Sequence, residues 1–347
     1  MNEDYDFNSQ TFENNQPQQT YVTYIPYGLT PETSEERKSV RKIANIIGGS
    51  LLIMLAVSIA VSLGLSLGMV ILSFTGVNLY EYISDAAFTQ FLQIFLSSVM
   101  FTIPFVILFK ANKYYISDIV KFTKPKIEDI LPYTLLGISF CSFANIVTVF
   151  MGRIFSSAGI NYEVDFGDNP NGFFGVMLTI ITTAIVPPLV EEFAFRGLVL
   201  GALRKYGDGF AVLCSAILFG VMHANFQQMP FAFLVGLALG FITVKTGNLW
   251  IAIAVHCFNN LTSVIFDFTI KNADSNVQGI VYTAFYVTCL LLGLVAVLLF
   301  KDKNDVYTLQ KAEIKSKTKQ IYKWFFTAPT IIIFAIISFI ESLAFFK

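Results

Sequence analysis

The chain has 347 residues, of which 55% are hydrophobic and 14% are charged, and its formal net charge is −1. This charged share lies far below the roughly 25% of soluble domains and indicates a membrane protein that crosses the bilayer several times. No basic patch interleaved with aromatic residues is present, which argues against nucleic acid as a partner. The four cysteines stand singly in apolar segments without CxxC spacing, which excludes a disulfide-stapled secreted domain.

The chain begins with a polar stretch and continues as a series of apolar segments. Residues 1–36 are rich in Asn, Gln, Thr, Pro and Tyr and predict a disordered cytoplasmic tail. A helix needs roughly 20 apolar residues to cross a bilayer, and this rule selects nine segments. In chain order they are 43–74, 86–109, 130–152, 172–203, 209–226, 229–244, 249–270, 278–300 and 324–346. We predict an all-α membrane bundle of about eight or nine transmembrane helices.

The distribution of basic residues predicts the orientation of this bundle. With the amino terminus in the cytoplasm, only Arg153, Lys271 and Lys347 of the 23 Lys and Arg residues fall outside, as the positive-inside rule expects. The prediction is a multi-pass plasma-membrane protein surrounded by membrane lipid. Its parts are N-terminal helices over 43–170, a core over 171–270, and C-terminal helices over 278–347 that include the basic loop 301–323.

Charged residues interrupt the apolar run from 172 to 203, where Glu191, Glu192 and Arg196 occur together. Ionisable residues at membrane depth are costly and are functional candidates by default. Glu192 and Arg196 are four residues apart, and this spacing predicts an ion pair on one helix face. Adjacent helical positions point about 100° apart. Glu191 is therefore left as a free carboxylate, suited to act as a general base on water.

Two prolines directly precede these carboxylates. Pro187 and Pro188 cannot donate helix hydrogen bonds to the carbonyls of Thr183 and Ala184, so a kink is predicted at this point. Such a kink would open space beside Glu191 and leave the two carbonyls without helical partners.

The chain contains two histidines, and both fall within predicted membrane helices. Glu191 and His223 are equally far along the chain from Gly207, which lies in a strong turn signal. An antiparallel helix pair that turns there brings the two side chains to the same height. His256 and Asn260 are four residues apart, share a helix face, and can donate the hydrogen bonds that an oxyanion requires.

The residue types leave several chemistries open. Glu191, His223 and His256 could instead bind Zn²⁺ with one position open for water, although the HExxH signature is absent. A non-proteolytic immunity or scaffold protein, or a transporter whose buried Glu, His and Arg form a proton relay, is also compatible. A relay needs no Asn one turn after His256, whereas oxyanion stabilisation does.

Three motifs follow one another on successive predicted helices: EExxxR (Glu191, Glu192, Arg196), FxxxH (Phe219, His223) and HxxxN (His256, Asn260). Over about residues 170–265 the chain therefore resembles the CPBP family of intramembrane proteases. That family includes the type II CAAX prenyl endopeptidases and the bacterial Abi proteins of bacteriocin processing and immunity. The resemblance implies a membrane-associated peptide or protein substrate, CAAX-like or bacteriocin-type, and leaves the need for zinc open.

The resemblance also implies a role for each motif residue. Glu191 would be the base that activates water, and Glu192 and Arg196 would support its helix. The remaining three would be metal ligands or oxyanion donors: His223, His256 and Asn260.

Overall fold

The computed structural model describes residues 30–75, 85–157, 159, 172–301 and 306–344. Over these ranges the chain is helical and forms no strand, and a single isolated bridge joins Phe122 to Asn248. The helices are α1 (Pro31–Ser73), α2 (Ala86–Ala111), α3 (Ile116–Ile119), α4 (Ile127–Ser157), α5 (Gly172–Tyr206), α6 (Asp208–Met222), α7 (Gln228–Thr246), α8 (Leu249–Ile270), α9 (Ser275–Leu299), α10 (Thr318–Phe326) and α11 (Pro329–Leu343). The predicted all-α class is confirmed.

Seven of the described helices are long and apolar enough to cross a bilayer: α1, α2, α4, α5, α7, α8 and α9. The pair α10 and α11, bent by 63° at the break between them, adds an eighth if it forms one span. The predicted segment 209–226 is instead the 15-residue helix α6, which ends at Met222 and is shorter than a full crossing. Hydropathy does not reveal this end, because the residues that follow Met222 in the turn are also partly apolar.

The amino-terminal boundary also differs from the prediction. The polar tail was predicted to run to residue 36, but α1 begins at Pro31. The hydroxyl of Thr30 accepts a hydrogen bond from the backbone N–H of Thr33, and together they form a capping box. The capping residue and the charged first turn of α1 have the polar composition of a disordered tail, so composition does not reveal that the helix starts at Pro31. Residues 1–29 lie outside the described residues.

The loops predicted to be cytoplasmic gather at one end of the bundle. The hydroxyls of Ser39 and Tyr206 are 2.7 Å apart, which joins the start of α1 to the end of α5. The N–H of Asp208 donates to the carbonyl of Gln310 at 3.0 Å, and this contact brings in the loop after α9. Lys245 at the end of α7 donates to the carbonyl of Thr308 at 2.9 Å. The grouping agrees with the distribution of basic residues, and the side of the membrane that this end faces stays a prediction.

The middle of α5 forms the centre of the bundle. Seven consecutive residues, from Ala194 to Leu200, are buried, because α2, α6, α7 and α8 all contact this part of the helix. A helix segment that is largely apolar around its circumference is either buried or faces lipid, and here its neighbours bury it. Gly207, with φ of 110°, then reverses the chain into α6, as the turn signal predicts. The motif residues of α5 are thereby placed in the interior.

Candidate active site

Helix α5 changes its hydrogen-bonding pattern twice around the two glutamates. The segments Ile180–Ile185 and Phe193–Leu200 are π-helical, and the α-helical segment Val186–Glu192 lies between them. The first irregularity follows from the two prolines, which lack the N–H groups that an α-helix needs here. Such π segments widen the helix and are frequent at functional sites. Both glutamates therefore lie between two widened turns of one helix.

Neighbouring helices donate hydrogen bonds to carbonyls in both π segments. The side-chain Nδ2 of Asn260 on α8 donates to the carbonyl of Thr183 at 3.0 Å, and Thr183 is one of the two residues predicted to lose helical partners. In the second segment the hydroxyl of Ser215 on α6 donates to the carbonyl of Phe195 at 2.9 Å. Phe195 is completely buried, and buried carbonyls need such partners. Both irregular turns are thus held in place by side chains from other helices.

The predicted ion pair between Glu192 and Arg196 is present and completely buried. Arg196 Nη1 lies 2.8 Å from Glu192 Oε1, and both side chains are 0% exposed. The guanidinium carbon of Arg196 also lies 4.2 Å from the ring centroid of Phe219, a favourable cation–π distance. Burial of an unpaired charge would be very costly, so the pair is possible only because both charges are present.

His256 connects this ion pair to the second glutamate. Its Nδ1 lies 2.9 Å from Glu192 Oε1, and its Nε2 lies 3.9 Å from Glu191 Oε2. Since an ionised carboxylate only accepts hydrogen bonds, Nδ1 donates to Glu192, and Nε2 is the ring atom that faces Glu191. The separation of 3.9 Å is too long for a direct hydrogen bond, yet one water molecule can bond to both atoms.

His223 lies at the C-cap of α6, not inside a membrane helix as predicted. Its Nδ1 donates to the carbonyl of Phe219 at 2.8 Å, which leaves Nε2 as an acceptor. The ring of Phe219 stands edge-on to both histidine rings, with centroid distances of 5.0 Å to His223 and 6.1 Å to His256. The predicted turn at Gly207 brings α6 against α5. At this contact the ring of Phe219 on α6 packs against both His223 and His256.

The turn after His223 explains why α6 ends there. Ala224 has φ of 48°, in the left-handed region that non-glycine residues rarely adopt. Asn225 Oδ1 accepts a hydrogen bond from the backbone N–H of Gln228 at 2.7 Å, and Asn225 Nδ2 donates to the carbonyl of His223 at 3.2 Å. Asn225 is 4% exposed. This buried side chain replaces the missing helical hydrogen bonds and holds His223 at the helix end.

The structure brings most of the predicted site residues together. Four of them form one contiguous network, His223 joins it through Phe219, and Asn260 contacts the same stretch of α5. Sequence reasoning missed Ser215, because the π segment that it stabilises leaves no sequence signature. It also missed Asn259, although two adjacent asparagines in an apolar segment are themselves an unusual signal.

The three side chains predicted as zinc ligands are not arranged as a metal site. Over the described ranges, no group of three or more His, Cys, Asp or Glu side chains is placed to hold a metal ion. The Nδ1 atoms of His256 and His223 contact Glu192 and the Phe219 carbonyl, which leaves both Nε2 atoms for other partners. The zinc requirement stays a prediction, and we derive no step through a metal.

Comparison with known proteins supports the motif analysis. Residues 173–262, which include every motif residue, match a family model described as type II CAAX prenyl endopeptidase Rce1-like. This match confirms, for that part of the chain, the resemblance seen in the three motifs. No solved structure matches the chain.

Curated relatives also match part of the chain. "Putative membrane peptidase YdiL" of Bacillus subtilis (strain 168) is 35% identical over 91 residues, which are 26% of this chain and 37% of YdiL. "Membrane-embedded CAAX protease MroQ" of Staphylococcus aureus (strain USA300) is 24% identical over 151 residues, which are 40% of this chain and 58% of MroQ. The chain thus spans less than two thirds of the length of each relative.

Proposed function

We propose that the protein is an intramembrane endopeptidase that hydrolyses a peptide bond of a membrane-associated peptide with water activated by Glu191. One observation carries this proposal: the two glutamates have different surroundings. Glu192 is 0% exposed and its Oε1 contacts both Arg196 and His256. The Glu191 side chain is 12% exposed and faces His256 Nε2 at 3.9 Å. Glu191 is therefore the carboxylate with room for a water molecule.

The charges of this cluster are compatible with a base. With His256 neutral, the ionised groups of Glu191, Glu192 and Arg196 carry a net charge of −1, so the cluster can accept a proton. Transfer of one proton from a bound water makes the cluster neutral and moves the charge of −1 to the hydroxide, so the total charge of the site is unchanged. The proton can reside on Glu191 or on His256 Nε2, because the two positions face each other.

The hydroxide released in this way would attack the carbonyl carbon of the scissile peptide. The resulting oxyanion needs hydrogen-bond donors. The second N–H of Asn260 Nδ2 is one candidate, and a protonated His256 or His223 is another. The proton held by the cluster would then pass to the leaving amine, as general acid–base catalysis requires. Glu192 would stabilise the imidazolium of His256 in the meantime.

The proposed substrate is CAAX-like or bacteriocin-type. The family model and the name of MroQ support a CAAX-type peptide, and the buried position of the site supports a substrate held in or at the membrane. We place the protein in the plasma membrane with a cytoplasmic amino terminus, supported by the basic residues at one end of the bundle. A proton relay through the same groups is the alternative, since Asn260 already has a structural partner in Thr183 and does not by itself exclude it.

Glu191→Gln tests the proposal directly. In liposomes, we expect this variant to lose cleavage of a quenched-fluorescence peptide that ends in a prenylated CAAX sequence, while it folds normally. Glu341→Gln, a similar change in α11, serves as the matched control and should retain activity. Mass spectrometry of membrane peptides from cells with either form extends the test to unknown substrates. Turnover by the Glu191→Gln variant would remove Glu191 as the base.

A further inference from the structure

A chain of three side-chain amides crosses from α4 through α8 to the irregular part of α5. Asn145 Nδ2 donates to Asn259 Oδ1 at 3.2 Å. Asn259 Nδ2 donates to Asn260 Oδ1 at 3.2 Å, and Asn260 Nδ2 donates to the Thr183 carbonyl at 3.0 Å. Asn145 lies outside the region that matches the family model. The amide chain therefore links α4 to the first π segment of α5, about two turns before Glu191.

Backbone carbonyls at both ends determine the direction of these hydrogen bonds. The carbonyl of Thr183 only accepts, so Asn260 must present its NH₂ group there and its oxygen to Asn259. Asn145 Nδ2 also donates to the carbonyl of Cys141 at 3.0 Å, so its NH₂ group is likewise assigned. Asn259 fits between them in one orientation only, with its oxygen toward Asn145. Each amide thus fixes the orientation of the next.

The amide chain is partly buried at its α4 end and reaches the exposed residue Thr183 at its α5 end. Asn259 is 9% exposed, and a small cavity beside it is lined by Asn145, Ser142 and Tyr286 among other residues. Hydrogen bonds between membrane helices add little stability on average. The position of the amide chain is informative for a different reason. It ends at a carbonyl that the prolines leave without a helical partner, about two turns before Glu191.

We propose that Asn145 and Asn259 are positioning residues for the hydrolysis inferred above, on which this inference rests. They hold the Asn260 carboxamide in one orientation. In that orientation one N–H of Nδ2 supports the Thr183 carbonyl and the other is available to an oxyanion. Loss of either residue frees the Asn260 carboxamide to rotate. Its hydrogen bond to the Thr183 carbonyl and its hydrogen bond to the oxyanion then both weaken.

Asn145→Leu tests this role with a side chain of similar shape and no amide. In liposomes with the prenylated CAAX peptide, we expect kcat to fall about tenfold because a slightly misplaced catalytic group is costly, while KM stays unchanged. Thr148→Val on the same helix is the matched control, because the Thr148 hydroxyl bonds only to Ala144 in its own helix. Full kcat in Asn145→Leu would overturn the proposal. If this variant does not fold, Asn259→Leu carries the same expectation.

A double-mutant cycle separates positioning from simple structural support. In an Asn260→Ala background, Asn145→Leu should cause no further loss of kcat, because its effect passes through Asn260. Independent, multiplicative losses would overturn the inference. The two proposals fail differently: activity in Glu191→Gln removes the proposed hydrolysis, whereas an inactive Glu191→Gln with a fully active Asn145→Leu removes only the positioning role.

Discussion

Helices α5 and α9 are both long, apolar and able to cross a membrane, yet they are built in opposite ways. Helix α9 is a regular α-helix that buries only Cys289, Gly293 and Ala296. Helix α5 contains two π segments, buries seven residues in succession and encloses a complete ion pair. Hydropathy alone does not distinguish the two. The difference comes from a few charged and proline residues, which change a membrane span into a candidate catalytic helix.

The largest expected effect is on the buried ion pair of α5. Arg196→Met leaves the carboxylate of Glu192 buried without its charge partner, and we expect a loss of about 3–5 kcal/mol in the free energy of unfolding. Chemical unfolding in detergent measures this loss. Lys271→Met removes the same kind of i,i+4 pair, with Asp267, at an exposed position on α8. It should cost less than about 1 kcal/mol.

The double variant Glu192→Gln with Arg196→Met sharpens this prediction. Removal of both charges should restore most of the stability, because no uncompensated charge remains. Peptide cleavage should not return, because the carboxylate that orients His256 is absent. Equal stability of the single and double variants would contradict the assignment of the pair as mutually compensating charges.

The next expected effect concerns the regular helix. A Cβ at Gly293 of α9 would collide with the side chain of Ser139 on α4, so Gly293→Ala must separate the two helices. We expect a loss of about 1–3 kcal/mol, as is typical of overpacking. Cleavage activity should persist at temperatures where the variant is folded. Gly279→Ala on the same helix meets open space and is the control. Loss of activity in Gly293→Ala at temperatures where the variant is folded would show that α9 also contributes to the site, which would contradict the difference between α5 and α9.

The smallest expected effect is at the second π segment. Ser215→Ala removes the donor to the Phe195 carbonyl and leaves it buried without that partner, at a cost of about 1–2 kcal/mol. Ser66→Ala removes a hydroxyl that bonds within its own exposed helix, and it should change little. Differential scanning fluorimetry in detergent compares the two. An unaffected melting temperature in Ser215→Ala would mean that the π segment needs no support from α6.

Local spacing predicted several features of the site. The i,i+4 spacing of Glu192 and Arg196 predicted their ion pair, and Pro187 predicted the unpaired carbonyl of Thr183. Gly207 predicted the reversal between α5 and α6. Each of these features depends on residues close together in the chain, where helix geometry leaves few alternatives.

Features that depend on packing between distant segments were not predictable. The sequence did not show that Glu192, already paired with Arg196, also orients His256, because this contact joins α5 to α8. It did not show that Asn260 would bond to Thr183, or that α6 would end one residue before His223. The catalytic roles and the zinc requirement stay predictions, because neither motif spacing nor side-chain placement measures turnover or metal content.

The shortness of α6 has a consequence for the peptides that can reach Glu191. Its 15 residues place His223 about 22 Å from the Gly207 end of the bundle, at 1.5 Å per residue. An extended peptide advances about 3.3 Å per residue, so it needs roughly seven residues to cover that depth. A peptide substrate that enters from this end would thus need a minimum number of residues on one side of the scissile bond. A peptide that enters laterally from the lipid would have no such minimum.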